Sequence, residues 1–416
     1  MPLPFGAEIK RSQRKTGIRL KRDFELAILL IILFLLLIFL NTFAGNPPAG
    51  HINDYLLVHI AGNALRHGMD LYNPQQWELA HTLFGNGYTD NPVFIYPLPF
   101  AFFFIPFSFL SIPLGEVVWL LVGEGLFIFC IALLLRGMEF RSLSRFALLA
   151  ISIGIFLPVI NVWWARQHSF LLFFFLVATF IFLRDGKDAP GGIMLALLAL
   201  RPGAVVYLVP AVLAWAALQR RWRVWFASGV ASLTLLAVSW LIRPGWPAIW
   251  FDYTVGDKGK LYSYLAYVPT LWGMLNDFDV PASAAGKWLI GGVVTLAVIG
   301  FSVFWLRKHK ATDLTAVTLL FVPASLFLSF YAWNYDQLFL LLPLLLTLWI
   351  AKAFPEKLKT LAWTSVIAIM VALPYLLRIV ALQRGRDSLS ALLPLAVWAL
   401  GLWVVRIKWR EWNANP

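Results

Sequence analysis

Charge is what this chain has least of. Asp, Glu, Lys and Arg make up 13% of its 416 residues, about half of the roughly 25% usual in a soluble domain. A single cysteine, Cys130, lies inside an apolar run, so no internal disulfide forms and packing suffices to account for it. There is no Walker loop, dinucleotide fingerprint, Cys/His metal cluster or G-x-S-x-G elbow, which argues against ATP-driven transport, redox chemistry and serine hydrolysis. Internal repeats and low-complexity segments are also missing. The first apolar run is too long for a cleaved signal peptide and no A-x-A pattern follows it.

What is abundant is apolar length. Hydrophobic residues make up 60% of the chain and aromatic ones 16%, in runs that recur from residue 24 to residue 405. Such runs form helices that satisfy their own backbone hydrogen bonds within a bilayer. The fold class expected is therefore all-α integral membrane, with about 11–13 transmembrane helices. Candidate spans fall near 24–44, 93–112, 115–135, 146–160, 169–183, 191–218, 224–242, 287–306, 314–330, 338–353, 360–380 and 389–405.

The net charge of +13 follows topology rather than nucleic acid. Lys10, Arg11, Arg14, Lys15, Arg19, Lys21 and Arg22 precede the first span, and QRRWR (219–223), RKHK (307–310), KAFPEKLK (352–359) and RIKWR (406–410) follow later ones. The loop 45–92 is acidic, with Asp54, Asp70, Glu78 and Asp90 against Arg66. The positive-inside rule then places both termini in the cytoplasm and this loop outside a plasma membrane. The divisions expected are a basic segment 1–23, a membrane module 24–243 with external loop 45–92, a second external loop 244–286, further helices 287–405 and a tail 406–416. The middle of the module has two solutions. In one, 191–218 spans intact and WWARQHS (163–169) lies inside. In the other, WWARQHS lies outside and 191–218 breaks at Arg201-Pro202-Gly203 into half-helices too short for about 30 Å.

The stretch NDYLLVHIAGNALRHGMDLYNP (53–74) stands out for its polarity directly after the first apolar run. As a helix over Tyr55–His67 it places Leu56, Leu57, Ile60, Ala61, Ala64 and Leu65 on one arc, with His59, Asn63 and Arg66 opposite. That pattern predicts an amphipathic helix along the membrane surface, started by Asn53 or Asp54 and stopped at Gly68. Asp54 reads either as an N-cap or as a carboxylate able to take a proton from a hydroxyl. Asp70 and Tyr72 read as loop-structuring residues before Asn73-Pro74.

The membrane-entry Asp, the following G-x-D-L-Y (68–72) and the Y-P-x-P of Tyr96–Pro99 together resemble glycosyltransferase family 87. WWARQHSFLLFFFL is similar to that family's G-Q-x-N segment, GGIMLALLALRPG to its G-x-x-x-G-x-x-x-x-x-K-P segment, and SFYAWNYDQLFLLLP to its S-P-x-S-W-x-H segment. The likeness runs in order through roughly residues 24–350. It departs at Arg166, where a small residue is usual, at the family's Asn, which is Ser169 here or is displaced to His168, at Arg201 in place of lysine, and at Trp333-Asn334-Tyr335-Asp336 in place of Trp-Asp-His.

The resemblance implies a GT-C fold and transfer of a hexose, mannose by family habit, from a polyprenyl-phosphate-linked donor to a hydroxyl of a lipid or glycan acceptor, with inversion. It favours the broken 191–218. It makes Asp54 the general base. Arg166, Gln167 and Arg201 would bind the donor phosphate, since an arginine fork suits phosphate oxygens and a membrane-depth charge must be paired. His59, Tyr96, His168, Lys258, Lys260, Tyr335 and Asp336 would border the sugar or acceptor. No cofactor is required and no metal is expected; the D-x-D within NDFD (276–279) is a weak pattern. The competing readings are a lipid or polyol transporter, which would show repeated halves with paired broken helices, and an inactive transferase-like scaffold.

Overall fold

The computed structural model describes residues 53–85, 87, 93–136, 143–254, 267–278 and 284–414. The expected first span 24–44, the basic N-terminal segment, and Lys258 and Lys260 lie outside the described residues. Among the described residues there is no strand, and the chain is an all-helical integral membrane protein.

The chain order is α1 Asp54–Arg66 and α2 Pro74–Phe84, then α3 Ile112–Leu135, α4 Leu143–Gly154, α5 Leu157–Trp164, α6 Ser169–Arg184 and α7 Asp188–Leu198. After these come α8 Leu208–Leu218, α9 Trp222–Ile242, α10 Trp246–Thr254, α11 Leu271–Asp277, α12 Ala284–Lys308 and α13 Leu314–Leu328. A 3-10 turn, Asp336–Leu340, leads into α14 Leu341–Ala351, followed by α15 Glu356–Ile367, α16 Leu373–Arg384 and α17 Leu392–Ala414. Among the described residues, five stretches are long and apolar enough to cross a membrane: Ile112–Leu135, Trp222–Ile242, Gly286–Lys308, Glu356–Arg384 and Ser388–Lys408. A sixth results if α4 and α5, bent by 42°, count as one span. Several others of the 11–13 expected spans are shorter apolar helices, among them α6, α7, α8 and α13.

Burial separates core helices from lipid-facing ones. Every residue of α13 is buried, whereas only 6% of the most apolar stretch of α9 and 11% of that of α12 are covered by protein. Glu356–Arg384 is continuous through a π-helical Ala368–Ala372, directly before Pro374, whose missing N–H and ring bulk disturb the α ladder.

Residues 93–112 do not form the expected span. Leu98–Ala101 makes one helical turn and Phe102–Phe104 and Pro106–Phe109 are 3-10 turns. Pro97, Pro99 and Pro106 each remove a donor and prevent a continuous helix. The segment instead folds under α1. A Cβ on Gly62 would lie 2.6 Å from the Phe104 carbonyl oxygen, so α1 rests backbone-on-backbone against it.

That packing corrects the expectation of a surface helix at 55–67. Tyr55, Leu57 to Asn63 and Ala64 are buried on all sides, including His59 and Asn63 of the polar arc. The polar groups are satisfied internally: Tyr55 Oη bonds His59 Nδ1 at 3.1 Å, Asn63 donates to the His59 carbonyl at 3.1 Å, and Arg66 donates to the Ser108 carbonyl at 3.0 Å.

The segment 191–218 does break at Arg201-Pro202-Gly203. α7 stops at Leu198, Pro202–Val205 forms a single turn, and α8 starts at Leu208. Broken backbone at membrane depth needs other partners, and α13 supplies them. Ser329 Oγ donates to the Gly203 carbonyl, Ser325 Oγ donates to the Ala204 carbonyl at 3.1 Å, and Ser325 Oγ accepts from Tyr207 N at 3.2 Å.

Chain direction collects the loops into two sets. α6 and α7 are antiparallel neighbours, so Ser169 and Arg201 lie at the same end of the bundle, together with Ser329 and Asp336. Glu116 bonds Asn53, and Arg243 pairs with Asp70, which brings the loops 53–111 and 243–254 to that end too. The opposite end carries Arg184, Lys187, Arg221 and Lys308, with ion pairs Arg184–Asp185, Arg221–Asp188 and Lys408–Asp313.

Candidate active site

Asp54 begins α1 but does not cap it. Asn53 takes that role, its side-chain oxygen accepting from Tyr55 N at 3.1 Å and Leu56 N at 3.4 Å. The Asp54 carboxylate is thereby released, and its Oδ2 accepts a hydrogen bond from the Gln167 amide. Oδ1 has no partner among the described residues. The main chains are also joined, with Asp54 N donating to the Ala165 carbonyl at 3.1 Å. Asp54 is half-buried. Burial pushes its carboxyl up from the ordinary carboxylate range to about 7, with Asp336 adding to the rise and with Arg201 and the Gln167 amide opposing it.

Arg201 stands at the break after α7, 5% exposed. Its Nη2 donates to Asp336 Oδ2 at 2.9 Å; its Nη1 lies 2.5 Å from His168 Nε2 and 3.5 Å from Tyr96 Oη. The guanidinium sits 5.6 Å from the Tyr96 ring centroid and 5.3 Å from that of Tyr335. An arginine only donates, so His168 Nε2 accepts. Burial and the Arg201 charge hold the imidazole well below its ordinary pKa and leave it neutral. Asp336 is fully buried and also accepts from Trp333 N at 2.9 Å and Ser169 Oγ at 3.4 Å.

Of the residues singled out in the sequence, Asp54, Gln167, His168, Arg201, Tyr96, Tyr335 and Asp336 come together. Arg166 is occupied elsewhere: its Nε pairs with Glu116 at 2.6 Å and its Nη1 donates to the Trp163 carbonyl at 2.6 Å. Glu116 in turn accepts from Asn53 at 3.1 Å, so Arg166 braces the start of α1 beside Asp54. His59 is 3% exposed and faces Tyr55 within the protein. Asp70 accepts from Tyr72 N at 3.0 Å and pairs with Arg243 at 2.6 Å. Tyr72 Oη donates to the Tyr96 carbonyl at 2.6 Å while its ring stacks on Trp246. Together these two residues tie the loop to Tyr96. Asp277, the first acid of NDFD, is covered by Arg384 at 3.0 Å, Arg386 at 3.0 Å and Ser388.

Glu116, Ser325 and Ser329 were not singled out. Glu116 carried a signal, a carboxylate near the start of an apolar span. Ser325 and Ser329 carried none, because their role depends on where the chain breaks after α7.

The description "Glycosyltransferase family 87" matches residues 94–331, more than half of the 416-residue chain. No curated protein and no solved structure matches it. The matched segment contains Tyr96, Gln167, His168 and Arg201, while Asp54 and Asp336 lie on either side of it and reach it only in three dimensions. A helical membrane body and this match over most of its length identify the chain as a membrane glycosyltransferase belonging to glycosyltransferase family 87.

Proposed function

We propose that this chain transfers a hexose, mannose by family habit, from a polyprenyl-phosphate carrier to a hydroxyl of a lipid or glycan acceptor, with inversion and with Asp54 as general base. The observation that carries this reading is the Asp54 carboxylate: one oxygen is fixed by the neutral Gln167 amide, the other has no partner among the described residues, and its proton affinity lies near neutrality. A base works best with a pKa near the operating pH.

In this reaction the acceptor oxygen bonds to the anomeric carbon as the bond from that carbon to the phosphate oxygen breaks. The acceptor proton goes to Asp54, and the bonding pair leaves with the polyprenyl phosphate. Arg201 is the candidate donor for that phosphate; two of its nitrogens are engaged by Asp336, His168 and Tyr96, and Nε is left over. An arginine in a site with little water stabilises developing phosphate charge more than it would in bulk solvent. The Tyr96 and Tyr335 rings both pack on the Arg201 guanidinium and so hold it in place for that phosphate. No metal or other cofactor is needed for these steps.

The charge distribution supports an external site. Arg184, Lys187, Arg221 and Lys308 gather at the end away from Asp54, which by the positive-inside rule faces the cytoplasm of a plasma-membrane protein.

The test is transfer of labelled mannose from a polyprenyl-phosphate donor to membrane acceptors, comparing the wild type with Asp54→Asn. Lost turnover with retained donor binding supports the base assignment. Equal turnover in the two proteins sinks it, and movement of polyprenyl phosphate across the bilayer without transfer would favour a lipid transporter.

A further inference from the structure

The Arg201–Asp336 pair joins residues 135 apart in sequence and is the most buried ion pair among the described residues, with side chains 5% and 0% exposed. Asp336 has no surface with which to touch a sugar. Its two oxygens accept from Arg201, from Trp333 N and from Ser169 Oγ.

Two carboxylates therefore lie within electrostatic reach of one guanidinium, since Arg201 and Asp336 act on Asp54 with opposite signs. The remaining titratable groups around them are the Arg166–Glu116 pair beside the start of α1, Tyr96, Tyr331 and Tyr335, all three held above the ordinary phenol range by burial, and the neutral His168. Only one of the two acids bonds to Arg201, and it is the buried one. Asp54 bonds instead to Gln167.

A carboxylate that pairs with a buried arginine becomes a poor proton acceptor, because protonation would strand the guanidinium without a counter-charge. The orientation of Arg201 thus decides whether Asp54 is an ion-pair partner or a base. The chain geometry at the break leaves that decision to Asp336. Gly203 lies against the Tyr331 carbonyl so closely that a Cβ would approach its oxygen to 2.3 Å, and Ser329 Oγ donates to the Gly203 carbonyl. The segment bearing Arg201 is therefore docked on the segment bearing Asp336.

We propose that Asp336 is a positioning residue for transfer: by taking the Arg201 guanidinium as its own partner it keeps that charge from pairing with Asp54, whose carboxylate stays on the neutral Gln167 amide and free to accept a proton. This rests on the reading of Asp54 as the base, and it changes the role of Asp336 from sugar contact to control of Arg201.

The test uses the full chain in detergent without substrate. The carboxylic-acid band of Asp54 in infrared difference spectra, assigned by its loss in Asp54→Asn, is titrated with pH. In Asp336→Asn, Arg201 turns to Asp54 and the midpoint moves to lower pH by roughly one unit or more. Asp336→Glu restores the wild-type midpoint, a rescue that general loosening of the fold does not produce. The double variant Arg201→Gln with Asp336→Asn removes both charges, so its midpoint returns above that of Asp336→Asn; this variant also carries the test if the single one does not fold. An unchanged midpoint in Asp336→Asn, or a double variant with as low a midpoint as Asp336→Asn, overturns the proposal. Continued sugar transfer by Asp54→Asn would instead remove the base assignment, while the spectroscopic midpoints would still report whether Asp336 keeps Arg201 off Asp54.

Discussion

The Gln167 amide donates to Oδ2 of Asp54 across 113 residues of sequence, and this single bond places the first residue of α1 over the start of α6. It is reinforced by the main-chain bond from Asp54 N to the Ala165 carbonyl at 3.1 Å. A neutral amide orients the carboxylate without neutralising it, as a proton acceptor needs. Four predictions follow from this arrangement and its surroundings.

Asp54→Asn keeps the shape of the side chain and a hydrogen-bonding partner for Gln167 but cannot accept the proton. Turnover should fall about 10²–10⁴-fold, the usual contribution of a positioned base, while binding of a polyprenyl-phosphate donor stays within about threefold of wild type. Labelled-sugar transfer and donor titration on the same preparation separate the two effects.

Transfer should rise with pH along a limb centred near 7, the value to which burial lifts Asp54, because the ionised form is the one that accepts a proton. The stability consequence has the opposite sense. The folded carboxyl holds its proton to about 7 and an unfolded one only to its ordinary value of 3.8, so the Asp54 contribution is fully present below the unfolded value and is lost as pH rises through 7. Asp54→Asn should therefore flatten the dependence of Tm on pH across that window, as read by thermal unfolding in detergent.

Removing Arg201 leaves the buried Asp336 carboxylate without its partner, which costs about 3–5 kcal/mol. Arg201→Ala should lower Tm strongly. Arg201→Lys should retain more stability yet bind polyprenyl phosphate more weakly, since an ammonium lacks the planar fork that meets Asp336, His168 and a phosphate together. Thermal shift and donor titration check the two halves separately.

Gly203→Ala should destabilise by roughly 1–3 kcal/mol, the usual range for forcing volume into a packed site. Its Cβ would meet the Tyr331 carbonyl oxygen at 2.3 Å, whereas Gly229, with open space around its Cβ position, should accept alanine without loss. The pair of variants, compared by thermal unfolding, isolates the contact between the broken segment and the strap 329–336.

Much of this was legible in the amino-acid order because bilayer physics writes itself locally. Runs such as Ile112–Leu135 and Trp222–Ile242 need only their own residues to satisfy their backbones and suit lipid, and the basic clusters mark one end of the bundle. Arg201-Pro202-Gly203 announces its break because a proline followed directly by glycine both removes a helical donor and loosens the backbone, whereas Pro323 sits inside an unbroken α13. Asp54, Gln167 and Arg201 were recognisable through motifs, not through any periodicity.

Other features depend on neighbours that a single segment cannot reveal. The polar arc of His59, Asn63 and Arg66 has the pattern of a surface helix, yet His59 and Asn63 are buried and Arg66 alone stays exposed, because buried polar groups are tolerated once they bond other groups. Residues 93–112 are apolar enough for a span, and three prolines fold them back instead. Arg166 and Arg201 look equivalent as isolated charges in apolar surroundings. Only the positions of Glu116 and Asp336 separate them, making the first a brace and the second part of the cluster around Asp54.

The sequence by itself determined that this chain is a helical membrane protein and where most of its helices run. Hydropathy and backbone satisfaction are properties of contiguous residues. The tertiary structure alone decided which carboxylate takes the arginine and which bonds a neutral amide instead. That choice depends on distances and burial among residues contributed by α1, the start of α6, the break after α7 and the turn before α14, and a charge in a poorly solvated site is governed by its nearest partner.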